Sequence, residues 1–101
     1  MNFNEILKFI NQDDFTEIPN YGKWVESESV IYAKEINENI FLLFVINPEL
    51  NNRSAKAMIA KFDSVENISL REPKQIMFYL TLVTTNDLHY FEKYMNISQL
   101  H

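Results

Sequence analysis

Ile40-Phe41-Leu42-Leu43-Phe44-Val45-Ile46 is a run of seven apolar residues without a polar break. Successive side chains of a strand point to opposite faces, so a strand with one wet face alternates apolar and polar residues. This run does not alternate: Ile40, Leu42, Phe44 and Ile46 fall on one side, and Phe41, Leu43 and Val45 on the other. It predicts a central strand that needs cover on both faces. The rest of the chain must supply that cover or leave an apolar surface for a partner.

Working outward, Trp24 to Ile36 (WVESESVIYAKEI) reads as a neighbouring strand, β-branched and aromatic over Val30 to Tyr32 and polar over Glu26 to Ser29. Asn37-Glu38-Asn39 is the predicted hairpin loop, with Asn taking the left-handed conformation that Gly more often provides. Downstream, Ala55 to Phe62 (AKAMIAKF) is ambiguous. Ala, Lys and Met favour helix, and Ala55, Met58, Ile59 and Phe62 make a helical stripe. Asn47-Pro48-Glu49 also has the form of a helix start. A helix is the expectation there, with a strand as the alternative.

Val65 to Leu70 reads as a short strand and Gln75 to Thr85 (QIMFYLTLVTT) as the clearest one. In the latter, Ile76, Phe78, Leu80 and Leu82 are expected on one face, with Met77, Tyr79, Thr81 and Val83 on the other. Asn2 to Gln12 is a predicted helix, since Phe3, Ile6, Leu7 and Ile10 form one apolar stripe. Phe15 to Lys23, with Pro19 and the chain's single Gly, Gly22, reads as a connection. Thr85 or Asn86 is expected to cap a last helix with the stripe Leu88, Phe91 and Met95, before a fraying tail. The predicted order is α-β-β-α-β-β-α: an α+β fold, a four-stranded antiparallel sheet with three helices, in a single domain over residues 1–101.

With 47% of its residues hydrophobic and 14% aromatic, a chain of 101 residues can fill a core without staples. It contains no Cys, which excludes disulfides, thiolate metal sites and cysteine nucleophiles. The first residues lack the basic and apolar regions of a secretory signal, and no apolar run reaches the roughly 18 residues of a membrane span. A cytoplasmic protein with no membrane partner is the expectation. Asn, Ile, Lys and Phe are favoured over Gly, Ala and Arg, as in A/T-rich bacterial and phage genomes.

Fourteen acidic residues against nine basic ones give a net charge of -5, with the cations scattered. Direct binding of nucleic acid needs a basic footprint, so none is expected. A single Gly rules out phosphate-cradling Gly-rich loops, and no Ser has the context of a nucleophile elbow. His89 and His101 do not make a ligand set, so neither a metal site nor a cofactor is predicted. Glu26 and Glu28, if on one strand face, would stand roughly 7 Å apart. That suits glycoside chemistry, but it equally describes two solvated edge charges. The three Asn-x-Ser sequons, at Asn52, Asn67 and Asn96, read as chance in an Asn-rich chain.

The suggestive residues are Tyr21 and Trp24 beside Glu26 and Glu28, and Tyr79 on the outer side of the last strand. Tyr and Trp dominate interface hot spots, and acidic neighbours steer a basic partner. The plain alternative is that Trp24 anchors its loop to the core and that Tyr79 lies under a helix.

As an order of elements, with helices at both ends and one between two β-pairs, the chain resembles the secretion-chaperone-like fold of type III secretion chaperones. In place of that family's Leu- and Gly-rich start it has Phe3, Ile6, Leu7 and Phe9. The resemblance implies a homodimer, formed through the sheet, that holds an extended client. Size, charge and the lack of catalytic motifs point first to another class. The expectation is a non-enzymatic protein-binding module, a small acidic inhibitor, immunity or phage anti-defence (anti-CRISPR-like) protein that blocks a basic surface of a target. Tyr21, Trp24, Glu26, Glu28 and Tyr79 are its candidate protein-binding residues.

Overall fold

A computed structural model describes residues 3–12, 14–47, 55–82, 86–87 and 89. It is mostly β. Five antiparallel strands lie side by side in chain order: β1 (Thr16–Ile18), β2 (Val30–Asn37), β3 (Ile40–Ile46), β4 (Ala55–Lys61) and β5 (Gln75–Leu82). Helix α1 (Phe3–Gln12) precedes them, and α2 (Asn67–Leu70) is a single turn between β4 and β5. The expected four-stranded sheet with three helices is therefore replaced by a β meander in which only α1 is longer than one turn among the described elements. Backbone at 86, 87 and 89 is helical, but most of the predicted last helix and the tail lie outside the described residues.

The largest correction is at Ala55 to Phe62. It is the strand alternative that forms, and the reason is a volume match across the ladder. Ala57 faces Phe44 and Ala60 faces Phe41, so the small residues leave room for the two rings. Ala55, Ala57 and Ile59 pack on one side of the sheet and Met58 and Ala60 on the other, which is why no alternation shows in the sequence. Tertiary packing overrides the helix propensity of Ala. The resemblance to the secretion-chaperone-like fold relied on a helix in this place, and it loses its basis.

β3 is the middle strand, and every residue from Phe41 to Ile46 is buried. Its two faces have different covers. On the helix face, Ile6 and Ile10 of α1 pack with Leu42, Phe44 and Ile46, joined by Phe15, whose ring lies 5.3 Å from that of Phe44. On the loop face, Phe41, Leu43 and Val45 pack under Phe62, Ile68, Trp24 and Val25. Each fully buried side chain of this size stabilises the fold by about 1.5–3 kcal/mol, so both covers contribute to holding β3.

The other departures are local. Trp24 to Ser29 is loop and the second strand begins at Val30, while Thr16–Ile18, expected as connection, pairs with β2 as an edge strand. Val65 to Leu70 is turn and helix instead of strand, held by amides of Asn67, Ile68 and Ser69 bonding three residues back. Asn39 does take positive φ, 58°, in the β2–β3 turn. Asp14, just after α1, is also left-handed at 60°, which turns the chain back into β1.

In β5 the register slips. Phe78 pairs with Ile59 but Ile76 pairs with Ala60, so Met77 is an extra, bulged residue. Phe78, Leu80 and Leu82 join the helix-face core as predicted. Ile76 does not follow them: opposite Ala60, it is on the loop face with Tyr79.

Candidate functional site

The loop face is closed by two segments distant in sequence, and its open ends form the surface of interest. The loop from Asn20 to Ser29 is shaped by Asn20. Its side-chain oxygen accepts from the amide of Gly22 (2.9 Å), and its Nδ2 donates to the carbonyls of Glu26 (2.7 Å) and Ser29 (2.9 Å). Gly22 permits the turn by adopting φ 73°. The result brings Trp24 down onto the sheet. Its indole Nε1–H donates to the carbonyl of Ile68 (2.7 Å), and its ring packs 5.9 Å from that of Phe62. Trp24 thus ties the loop to α2, in line with its anchoring role.

On either side of this tie lies a groove. Towards β5 is one of about 370 Å³, with Trp24, Val45, Met58, Ile76 and Tyr79 as apolar lining and Glu26 and Lys56 as its charged groups. Towards β1 is one of about 410 Å³, lined by Ile18, Tyr21, Val65 and Leu70 together with Glu17 and Glu66. Thr16 and Val65 also line an adjoining hollow that adds Asp14, Glu35 and Lys34. The β1 margin therefore presents four carboxylates and one ammonium, whereas the β5 groove is balanced.

The predicted site residues do not gather in one place. Trp24, Glu26 and Tyr79 share the β5 groove, Tyr21 is at the β1 margin, and Glu28 is exposed and lines neither. The carboxylate of Glu26 accepts a hydrogen bond from Nδ2 of buried Asn47 (2.7 Å), a structural bond that holds the loop against the end of β3. Because residues 26 and 28 are not on a strand, the shared strand face considered for that carboxylate pair does not exist.

Sequence reading missed Ile76, Val65 and Leu70. The bulge moves Ile76 to the loop face, and the strand assigned to Val65 to Leu70 hid the turn that exposes two of its apolar residues. Among the described residues, six large hydrophobic side chains stand exposed, three at the β1 margin (Tyr21, Val65, Leu70) and three on β5 (Ile76, Met77, Tyr79).

The described residues hold no cluster of three or more His, Asp or Glu placed to bind a metal ion, and no described helix is long and apolar enough to cross a membrane. His89 is exposed. Tyr32, opposite Glu17 on the β1–β2 ladder, has its hydroxyl pKa raised above the usual 10.0, first by burial and then by the Glu17 carboxylate. No protein-family model, curated protein or solved structure matches the chain.

Proposed function

We propose that this chain is a non-enzymatic protein-binding module that docks its β1 margin on a basic surface of a target protein, in the manner of an inhibitor, immunity or anti-defence protein. The observation that carries this reading is the make-up of that margin. Tyr21 (63% exposed), Val65 and Leu70 offer apolar contact around a groove whose charged lining groups are the carboxylates of Glu17 and Glu66. An exposed aromatic with aliphatic neighbours supplies the contacts that slow dissociation, while a ring of one charge sign speeds encounter with the opposite sign. The chain's net charge of -5 acts in the same direction.

Relative to the sequence-based reading, the steering role moves from Glu26 and Glu28 to Glu17 and Glu66, because Glu26 is engaged with Asn47. Affinity capture from the native host with the wild-type chain, followed by kinetics on the captured target, tests the proposal. Glu17→Lys with Glu66→Lys lowers the association rate by on the order of tenfold and flattens its dependence on salt, while Tyr21→Ala acts on dissociation. Rates indifferent both to salt and to these reversals would overturn it.

A further inference from the structure

The two edges of the sheet are built differently. β1 has three residues, carries Glu17 and is followed at once by Pro19; shortness, charge and proline all blunt an edge against pairing with another chain. β5 has eight residues, QIMFYLTL, with neither charge nor proline, and no described strand pairs with its outer side. Ile76, Met77 and Tyr79 on this strand are about half exposed, at 51%, 49% and 48%.

We propose that β5 pairs antiparallel with β5 of a second copy of this chain, joining two five-stranded sheets into one of ten strands across a two-fold axis. Charge selects the occupant. A charged partner strand would find nothing to answer it along QIMFYLTL, whereas a second β5 brings no charge, so no register sets like charges against each other. A two-fold axis normal to the sheet keeps the loop faces of both copies on the same side. In a register with Leu80 opposite Leu80, Tyr79 meets Thr81 of the second copy and Phe78 meets Leu82, each pair sharing a face. Tyr79, about half exposed in one copy, then lies diagonally across from Tyr79 of the second copy.

This goes beyond the docking proposal and leaves it intact, since the β1 margins stand at the two far edges of the ten-stranded sheet. The pair would present two acidic docking surfaces facing outward.

Sedimentation equilibrium of the full chain across the micromolar range, with amide hydrogen exchange in parallel, tests the pairing. The expected mass is twice 12.0 kDa, about 24 kDa, with outward-facing amides of 78–82 gaining protection as concentration rises. Tyr79→Lys with Thr81→Lys places like charges across the pairing and weakens it by on the order of tenfold or more, whereas Thr16→Lys on β1 leaves it unchanged. Unchanged far-UV circular dichroism shows that these variants fold. A mass of 12.0 kDa throughout overturns the proposal, whether the β5 amides are open or already protected within one chain. So does a folded Tyr79→Lys/Thr81→Lys variant that still dimerises, a Thr16→Lys variant that does not, or growth beyond two copies.

Discussion

The helix face and the loop face of the sheet bury similar strips of the same strand by different means. On the helix face, one amphipathic helix presents Ile6 and Ile10 to Leu42, Phe44 and Ile46. On the loop face, two irregular pieces are brought together by one side-chain hydrogen bond spanning 44 residues of sequence, from Trp24 to Ile68. A regular cover carries its own periodicity and can be read locally. A pieced cover is specified by contacts between residues that no local pattern links.

If the pieced cover is as integral to the core as the helical one, a truncation beneath each should be comparably severe. Phe62 is 1% exposed and packs against both Trp24 and Phe41, so Phe62→Ala is expected to destabilise by about 3–5 kcal/mol. Ile10→Ala, its counterpart on α1, is expected to cost about 2–5 kcal/mol. Urea unfolding of both variants measures the pair. A Phe62→Ala cost near zero would reduce the loop-face cover to a surface ornament.

A smaller change separates the tie from the packing. Trp24→Phe keeps an aromatic ring beside Phe62 but removes the donor to the Ile68 carbonyl, for an expected loss of about 1–2 kcal/mol. Hydrogen exchange should localise the loosening to the loop 20–29 and the turn 65–70, sparing α1. Loosening spread evenly over both faces would show that the two covers are not independent.

The smallest expected effect belongs to the helix face and to alkaline pH. Tyr32 packs beside that core, and its pKa is raised by burial and by Glu17. The folded state therefore holds this proton at pH values where the unfolded chain has released it. The stability that the neutral hydroxyl contributes is complete below pH 10.0 and falls as pH rises through the raised value. Tyr32→Phe should flatten that alkaline decline in a pH series of urea midpoints, and Glu17→Gln should flatten it less. An unchanged slope in Tyr32→Phe would assign the decline to other groups.

What could be read from the sequence follows the same division. Ile40 to Ile46 announced burial on both sides because seven apolar residues leave no wet face, and α1 was plain from the spacing of Ile6, Leu7 and Ile10. β4 reads locally as helix because the rings that make its alanines suitable for a strand, Phe41 and Phe44, belong to another segment. Simple alternation puts Ile76 on the wrong face because a bulge at Met77 reverses parity without any Gly or Pro to mark it. Among the candidate site residues, Tyr21 and Tyr79 are exposed, as their positions in a connection and on an outer strand face suggest. The second duties of Trp24 and Glu26 depend on Ile68 and Asn47, which nothing local points to.

Trp24 is also the chain's single tryptophan. Its half-buried indole sits at the join of the two loop-face pieces, bonded to one and belonging to the other. The molecule thus carries an optical probe at the place where its irregular cover closes. Lifting of that cover by a partner, a mutation or mild denaturant would expose the indole to water and shift its emission to the red, while the sheet's circular dichroism stayed constant. Fluorescence and circular dichroism transitions that part company would separate opening of one face from unfolding of the whole, without any label being added.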